Sequence, residues 1–304
     1  MGGAPVSIGL WAVFTVIAAG GQTLRNAMQK ELTATLGTVG ATHVRFLFGL
    51  PFALLFLTVI LAVTGEKFPP LSANMMAWTI VGAGAQIAAT AMLLAAMKAK
   101  SFVVTTALIK IEPVHVALFG LVFLHDALSW PLAIAILVAC TGVLIMSWPQ
   151  QQAGAISDGG WGPIALGLAS GAMFGISAIG YRGGILALGH PNFVVAATTT
   201  LSVGLIMQTT VLTAYLWLFD RERLMAIFRA WRPSVLAGFM GAFASQMWFL
   251  AFAIESAAKV RTLALVEIFF AQLVSRSLFK QGLASREGLG IGLIVVGVII
   301  LLNV

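Results

Sequence analysis

The sequence predicts an all-α integral membrane protein, with ten transmembrane helices arranged as two inverted five-helix repeats. Three observations predict it. Of 304 residues, 60% are hydrophobic and 9% charged, and the mean hydropathy is +1.02. The apolar residues gather in stretches of roughly 20, the length a helix needs to span a hydrocarbon core of ~30 Å. Two acidic residues set inside such stretches, Glu112 and Glu267, coincide when one half of the chain is laid over the other.

Composition alone excludes several classes. Soluble domains carry charge on about a quarter of their residues, and so sparsely charged a chain could not cover a water-facing surface. A cytosolic enzyme, a disordered chain and a nucleic-acid binder are therefore excluded, despite a pI near 10.1. In a membrane protein the net charge of +7 reads as loops facing an anionic leaflet. The single Cys140 excludes a disulfide framework, a multi-thiolate zinc site and an iron–sulfur cluster. No cofactor or metal is expected.

The predicted spans are 7–24, 40–63, 74–96, 102–124, 130–147, 161–181, 193–218, 234–254, 260–280 and 286–303. Breaks between them carry turn chemistry, as at Gly65–Pro70, Trp148–Gly160, Gly183–Asn192 and Asp220–Pro233. The first span has no basic leader and no small-residue cleavage site, so it is not a removable signal peptide. Strands of alternating polarity are absent, which leaves helices as the spanning element. Gly167, Gly171 and Gly175 lie four apart, as do Gly288 and Gly292, with Gly238 and Gly241 a closer pair. Such rows let helix backbones approach, here within one chain rather than between copies.

The linker 149–160 separates a first repeat, 1–148, from a second, 161–304. An offset of 155 places Glu112 on Glu267, Leu118 on Leu273, Leu128 on Leu283 and Gly142–Val143 on Gly297–Val298. Five spans per repeat, an odd number, force the copies to lie upside down to each other, a recurring basis for alternating access.

The segment Ala107–Leu128 has an apolar helix broken by Glu112–Pro113, then Gly120, then the short turn His125–Asp126. Together with the closing Gly142–Val143–Leu144 and Gly297–Val298–Ile299, it resembles the EamA-type branch of the drug/metabolite transporter superfamily. The resemblance implies a secondary transporter with cytoplasmic termini and a cavity lined by spans three, four, eight and nine. It raises Gln86, Lys110, Glu112, His115, Gln246 and Glu267 above other polar residues. The second half departs from the pattern, since Ile268 replaces the proline after Glu267, and Lys110 lies outside it.

Charge at bilayer depth costs ~2.5–3.5 kcal/mol per residue on insertion scales. Among the basic residues, Arg45, Lys110 and Arg276 fall within spans, and Arg25, Arg182 and Arg261 are assigned to loops or span ends. Arg45 and Arg276 are near enough to span ends to snorkel; Lys110, ~12 Å along its helix, is not. Lys110 is rotated about 200° from Glu112, so the two do not pair along the helix, whereas Glu112 and His115 share a face. One of Lys110 and Glu112 points into a cavity and the other reaches a neighbouring span. Pro113 removes a donor and frees a carbonyl near Ile109, marking a helix break with a gating role.

Glu112 and Glu267 have two readings: a structural carboxylate bonded to Arg45, Lys110 or backbone, or a group that binds a substrate ammonium or carries a coupling proton. His115 is either a packing residue or a proton carrier. Gln86, Gln208, Gln246 and Gln272 face the interior, as pocket wall or as interhelical glue. Trp248, close to Gln246, is a cavity candidate, while Trp78 suits an interfacial anchor. Arg45 and His43 complete the candidate lining.

This mixed lining fits a zwitterion or an organic anion. The expected function is a secondary transporter or facilitator, with export the expected direction. Its substrate would be a small polar metabolite such as an amino acid or organic anion, in a bacterial-type inner membrane, with proton coupling one option. The expected surroundings are the lipid bilayer and a small-molecule substrate; no nucleic acid and no obligatory protein partner are expected, and the chain is expected to be a monomer. No GxxxxGK[ST] motif marks an ATP-driven pump. No HExxH, paired Asp motif or Ser–His arrangement marks an enzyme, so no catalytic residue is assigned. The alternative is a flippase or carrier of a polar lipid headgroup, with Arg45 and Lys110 near one leaflet. Loops after odd-numbered spans carry more Lys and Arg than the others, which points the termini outward, opposite to the resemblance.

Overall fold

The computed structural model describes residues 7–99, 109–147, 162–270 and 285–304, and these are mainly helical, with no strand among them. The helices in order are α1 (Ser7–Leu47), α2 (Leu50–Thr64), α3 (Ala73–Ala99), α4 (Glu112–Phe119) and α5 (Trp130–Ser147). They continue as α6 (Gly162–Leu188), α7 (Phe193–Phe219), α8 (Arg221–Arg229), α9 (Trp231–Ile254), α10 (Ala257–Leu263) and α11 (Ser285–Leu302). A π turn, Gly120–Leu124, extends α4, and a 3-10 turn, Ala264–Val266, follows α10.

Among the described residues, five helical stretches are long and apolar enough to cross a membrane: Gly9–Thr64, Ala73–Ala96, Ala165–Leu188, Phe193–Phe219 and Trp231–Ile254. Glu112–Leu124, Trp130–Ile145 and Gly288–Leu302 are shorter apolar helices. Large apolar side chains turn outward, with Val63, Trp130, Leu218 and Phe219 between 71% and 84% exposed. Such a surface is stable against lipid, not water. The chain is a membrane protein.

The first predicted break is displaced. A loop was expected over 25–39, but α1 runs on, because Leu24–Leu36 is rich in helix formers and holds no proline. Polar residues there do not mark a chain break, and Arg25 and Gln29 among them are buried. The interruption falls at Gly37 (φ 67°, ψ 179°), a backbone conformation that only glycine adopts readily. The predicted second span is in turn divided at Phe48–Gly49, and Pro51 in the first turn starts α2. Downstream, Asn192 caps α7 by accepting from the N–H groups of Val194 and Val195. Asp220 caps α8 through Arg223 N–H, and Leu224 and Ile227 of this amphipathic helix are buried.

The described residues fall into two compact units, one of 1–87 with 177–255 and one of 88–176 with 256–304. Their boundaries lie inside α3 and α6, so each unit draws on both halves of the sequence. In the first unit α1 packs along α9, and α7 packs against α2 and α9. In the second, α5 packs along α11 and α4 against α10.

Close approach of α5 and α11 depends on two glycines that stand 155 residues apart. A Cβ on Gly142 would lie 2.7 Å from Gly290 O, and one on Gly297 would lie 2.7 Å from Ala139 Cβ and 2.9 Å from Ala135 O. The predicted Gly288 and Gly292 row is corrected: among the described residues, a Cβ on either would meet nothing within 4 Å, because the contact falls on the helix face carrying Gly290 and Gly297. Gly171 meets the Ile109 backbone, Gly175 meets His115 and Phe119, and Gly238 meets Phe48. In α6, Gly180, Gly183 and Gly184 also seat against α3, at Gly82, Trp78 and Thr79.

Gly142→Ala is expected to cost about 1–3 kcal/mol by overpacking, read as a lower Tm in detergent. Gly292→Ala should stay within ~0.5 kcal/mol of the parent protein.

Candidate functional site

Span four does not bend at its Glu-Pro; it restarts there. Lys110 and Ile111 form a turn, and α4 opens at Glu112 with Pro113 in its first turn, where a missing N–H removes no helical bond. The two carbonyls just before the new start are both engaged. Ile111 O accepts from Val114 N at 3.0 Å, and Lys110 O accepts the Cys140 thiol at 3.5 Å. The second half has no proline, yet the helix is also interrupted there, by the 3-10 turn Ala264–Val266 directly before Glu267. Both carboxylates thus stand where helix resumes, and at Glu112 the positive end of the α4 dipole favours the charge.

Four buried charges meet in the second unit. Lys110 Nζ lies 2.5 Å from Glu267 Oε2, and Arg261 Nε lies 3.1 Å from Glu112 Oε1. The pairing is crossed: the cation from each half of the sequence serves the carboxylate from the other half. The first contact is a hydrogen-bonded ion pair. In the second the Arg261 N–H is not aligned on Glu112 Oε1, so that contact is ionic without being a directed hydrogen bond. Neither Lys110 nor Glu112 points alone into a cavity. Each reaches a neighbouring helix.

Arg261 is the site residue the sequence reading missed. At the very edge of the span expected over 260–280, Arg261 reads as a loop or span-end charge; the helix starts at Ala257 after Ser256, whose hydroxyl caps it by accepting from Lys259 N–H. That N-cap serine was the available signal. Arg25 and Arg182, also assigned to loops, lie inside as well. Arg25 is buried in the extended α1, and Arg182 Nη1 donates to the carbonyls of Phe252 and Glu255 at the end of α9. His115 stands half-buried beside the cluster on α4, stacked on Phe119 at 6.2 Å, and its Nδ1 has no hydrogen bond.

The remaining candidates belong to the first unit and form separate hydrogen-bonded groups. Gln86 Oε1 accepts from Gln208 Nε2 at 2.9 Å and from Tyr181 OH at 3.2 Å, and Gln208 also donates to Ala83 O. Gln246 Nε2 donates to Thr198 Oγ1 at 2.8 Å. Trp248 Nε1 donates to Gln22 Oε1 at 3.2 Å, with the indole stacked on Phe252. Arg45 is buried, reaching Ser245 Oγ at 3.4 Å, and His43 Nε2 lies 3.0 Å from Thr213 Oγ1. Gln272 and Arg276 lie outside the described residues.

No protein-family model and no curated protein matches the chain. A solved crystal structure, described only as that of a protein, is similar in fold. The TM-score is 0.66 over 97% of this chain and 94% of that chain, at 13% identity. At that identity the likeness shows a shared fold alone.

Breaking a buried ion pair from one side leaves an unpaired charge and costs ~3–5 kcal/mol, whereas an apolar pair of similar volume is often neutral. Glu267→Leu alone should therefore depress the Tm and folded yield, and Lys110→Met with Glu267→Leu should recover most of both. Chromatography and thermal melting in detergent read the difference.

Proposed function

We propose that the chain is a ten-span secondary transporter or facilitator of the EamA type, exporting a small zwitterionic or anionic metabolite across a bacterial-type inner membrane. The crossed, buried ion pairs carry this reading. A structural role alone would be served as well by apolar side chains, and ionisable residues at this depth are by default functional. A substrate carboxylate competes with Glu267 for Lys110, and a substrate ammonium competes with Arg261 for Glu112. Exchange of protein partners for substrate groups keeps every charge compensated during binding. Glu112 or His115 would carry the proton if flux is proton-coupled.

Two inverted five-helix repeats support the alternating access that this mechanism needs. Gly142 and Gly297, equivalent at an offset of 155, meet α11 and α5 from opposite sides of one contact, and Glu112 and Glu267, equivalent at the same offset, both follow a helix interruption. The competing reading, a headgroup flippase, needs Arg45 and Lys110 at a cavity mouth. Both are buried and bonded to protein, which favours the metabolite transporter.

Thermal stabilisation against amino acids, organic anions, nucleosides and lipid headgroups tests the substrate class. A ligand at 100 times its Kd adds ~2.7 kcal/mol. A zwitterionic or anionic metabolite is expected to stabilise the parent protein and not the Lys110→Met, Glu267→Leu variant. In proteoliposomes that variant should lose at least about tenfold in flux, the worth of one charge-assisted hydrogen bond. Stabilisation by lipid headgroups alone would overturn the reading.

A further inference from the structure

A crevice of about 710 Å³ opens in the first unit between α1, the amphipathic α8 and the start of α9. Its floor is apolar, from Met28, Leu32, Leu36 and Leu236, and two opposite charges stand over it, Glu31 from α1 and Arg229 from α8. Both are exposed, and among the described residues neither side chain makes an ion pair or hydrogen bond. The surroundings have headgroup-level character. Met225, Phe228 and Trp231 are about half exposed, and the guanidinium of Arg221 lies 4.5 Å from the Trp217 ring centre. Basic and aromatic residues mixed in this way gather at the membrane–water interface.

An apolar floor beneath one uncompensated cation and one uncompensated anion suits an amphiphile whose head carries both charges. We propose that this crevice is a resident-lipid site for an aminophospholipid of the phosphatidylethanolamine kind. Arg229 takes the phosphate, Glu31 takes the primary ammonium, and an acyl chain lies along Met28, Leu32, Leu36 and Leu236. The guanidinium fork matches phosphate oxygens in pairs, and the carboxylate accepts N–H donors that a quaternary choline lacks. An anionic headgroup without an amine would face Glu31 with nothing to offer it. The bound lipid ties α8 to α1 at a site separate from the charged cluster of the second unit, and it is not the transported cargo.

Native mass spectrometry of the detergent-purified protein tests this, titrating phosphatidylethanolamine, phosphatidylcholine and phosphatidylglycerol of identical acyl chains. The ethanolamine lipid should bind about threefold or more in preference to either of the others, the scale of a partly exposed charge pair. Glu31→Gln should erase the preference over phosphatidylcholine and raise phosphatidylglycerol binding. Arg229→Gln should weaken all three lipids. Equal retention of the three lipids by the parent protein, or an unchanged preference in Glu31→Gln, would overturn the proposal. So would equally tight binding of soluble glycerophosphoethanolamine, because the apolar floor would then contribute nothing.

Discussion

Charge compensation inside apolar surroundings is the constraint on which the second unit is built. Lys110, Glu112, Arg261 and Glu267 could not be housed singly, since an isolated buried ion has no water to solvate it. Matching them two by two removes the net charge and at the same time sets where helices must start. α4 begins at Glu112 and the helix after Ala264–Val266 resumes at Glu267, so each carboxylate stands at a break that aims it at a partner on another element. The crossed pairing means that neither half of the sequence neutralises its own carboxylate. That interdependence ties α4 to α10 more tightly than apolar packing alone, which is weakly directional in lipid.

The first unit solves the same problem with neutral groups. Gln86, Gln208 and Tyr181 share one acceptor oxygen, and Gln246 and Trp248 each find a side-chain partner on another helix. Arg45, Arg25 and Arg182 are charged exceptions, and the first two lie against Gly241, whose missing side chain makes room for their methylene stems. Where Gly142 and Gly297 bring α5 and α11 to near-contact, backbone packing takes over from side-chain bonding.

The helical class, the membrane character and the salient polar residues were legible in the residues, because lipid imposes a severe filter that composition records directly. The short helix over Arg221–Arg229 has a related origin, as three arginines with interleaved Leu, Met, Ile and Phe fit a helix lying at an interface. Less legible were the exact breaks. Arg25 and Arg261 read as loop residues because a charge is ordinarily the mark of solvent; here the helix simply continues past one and begins before the other. The hydrogen-bond partners of Gln86 and Gln246 were not legible either, because Gln208 and Thr198 come from distant parts of the sequence.

What the sequence by itself determined is that the chain is helical, is a membrane protein, and carries Glu112 and Glu267 at matching positions within apolar helices. Only the tertiary structure decided their partners, since Lys110 and Glu267 stand 157 residues apart and no local pattern encodes which helix faces which. It also decided that Gly290, not Gly288 or Gly292, meets α5, because helix rotation is set by packing on all sides at once. The physical reason is the same in both cases. Lipid exposure is a property of one residue and its solvent, whereas pairing and rotation depend on neighbours brought in from distant parts of the chain.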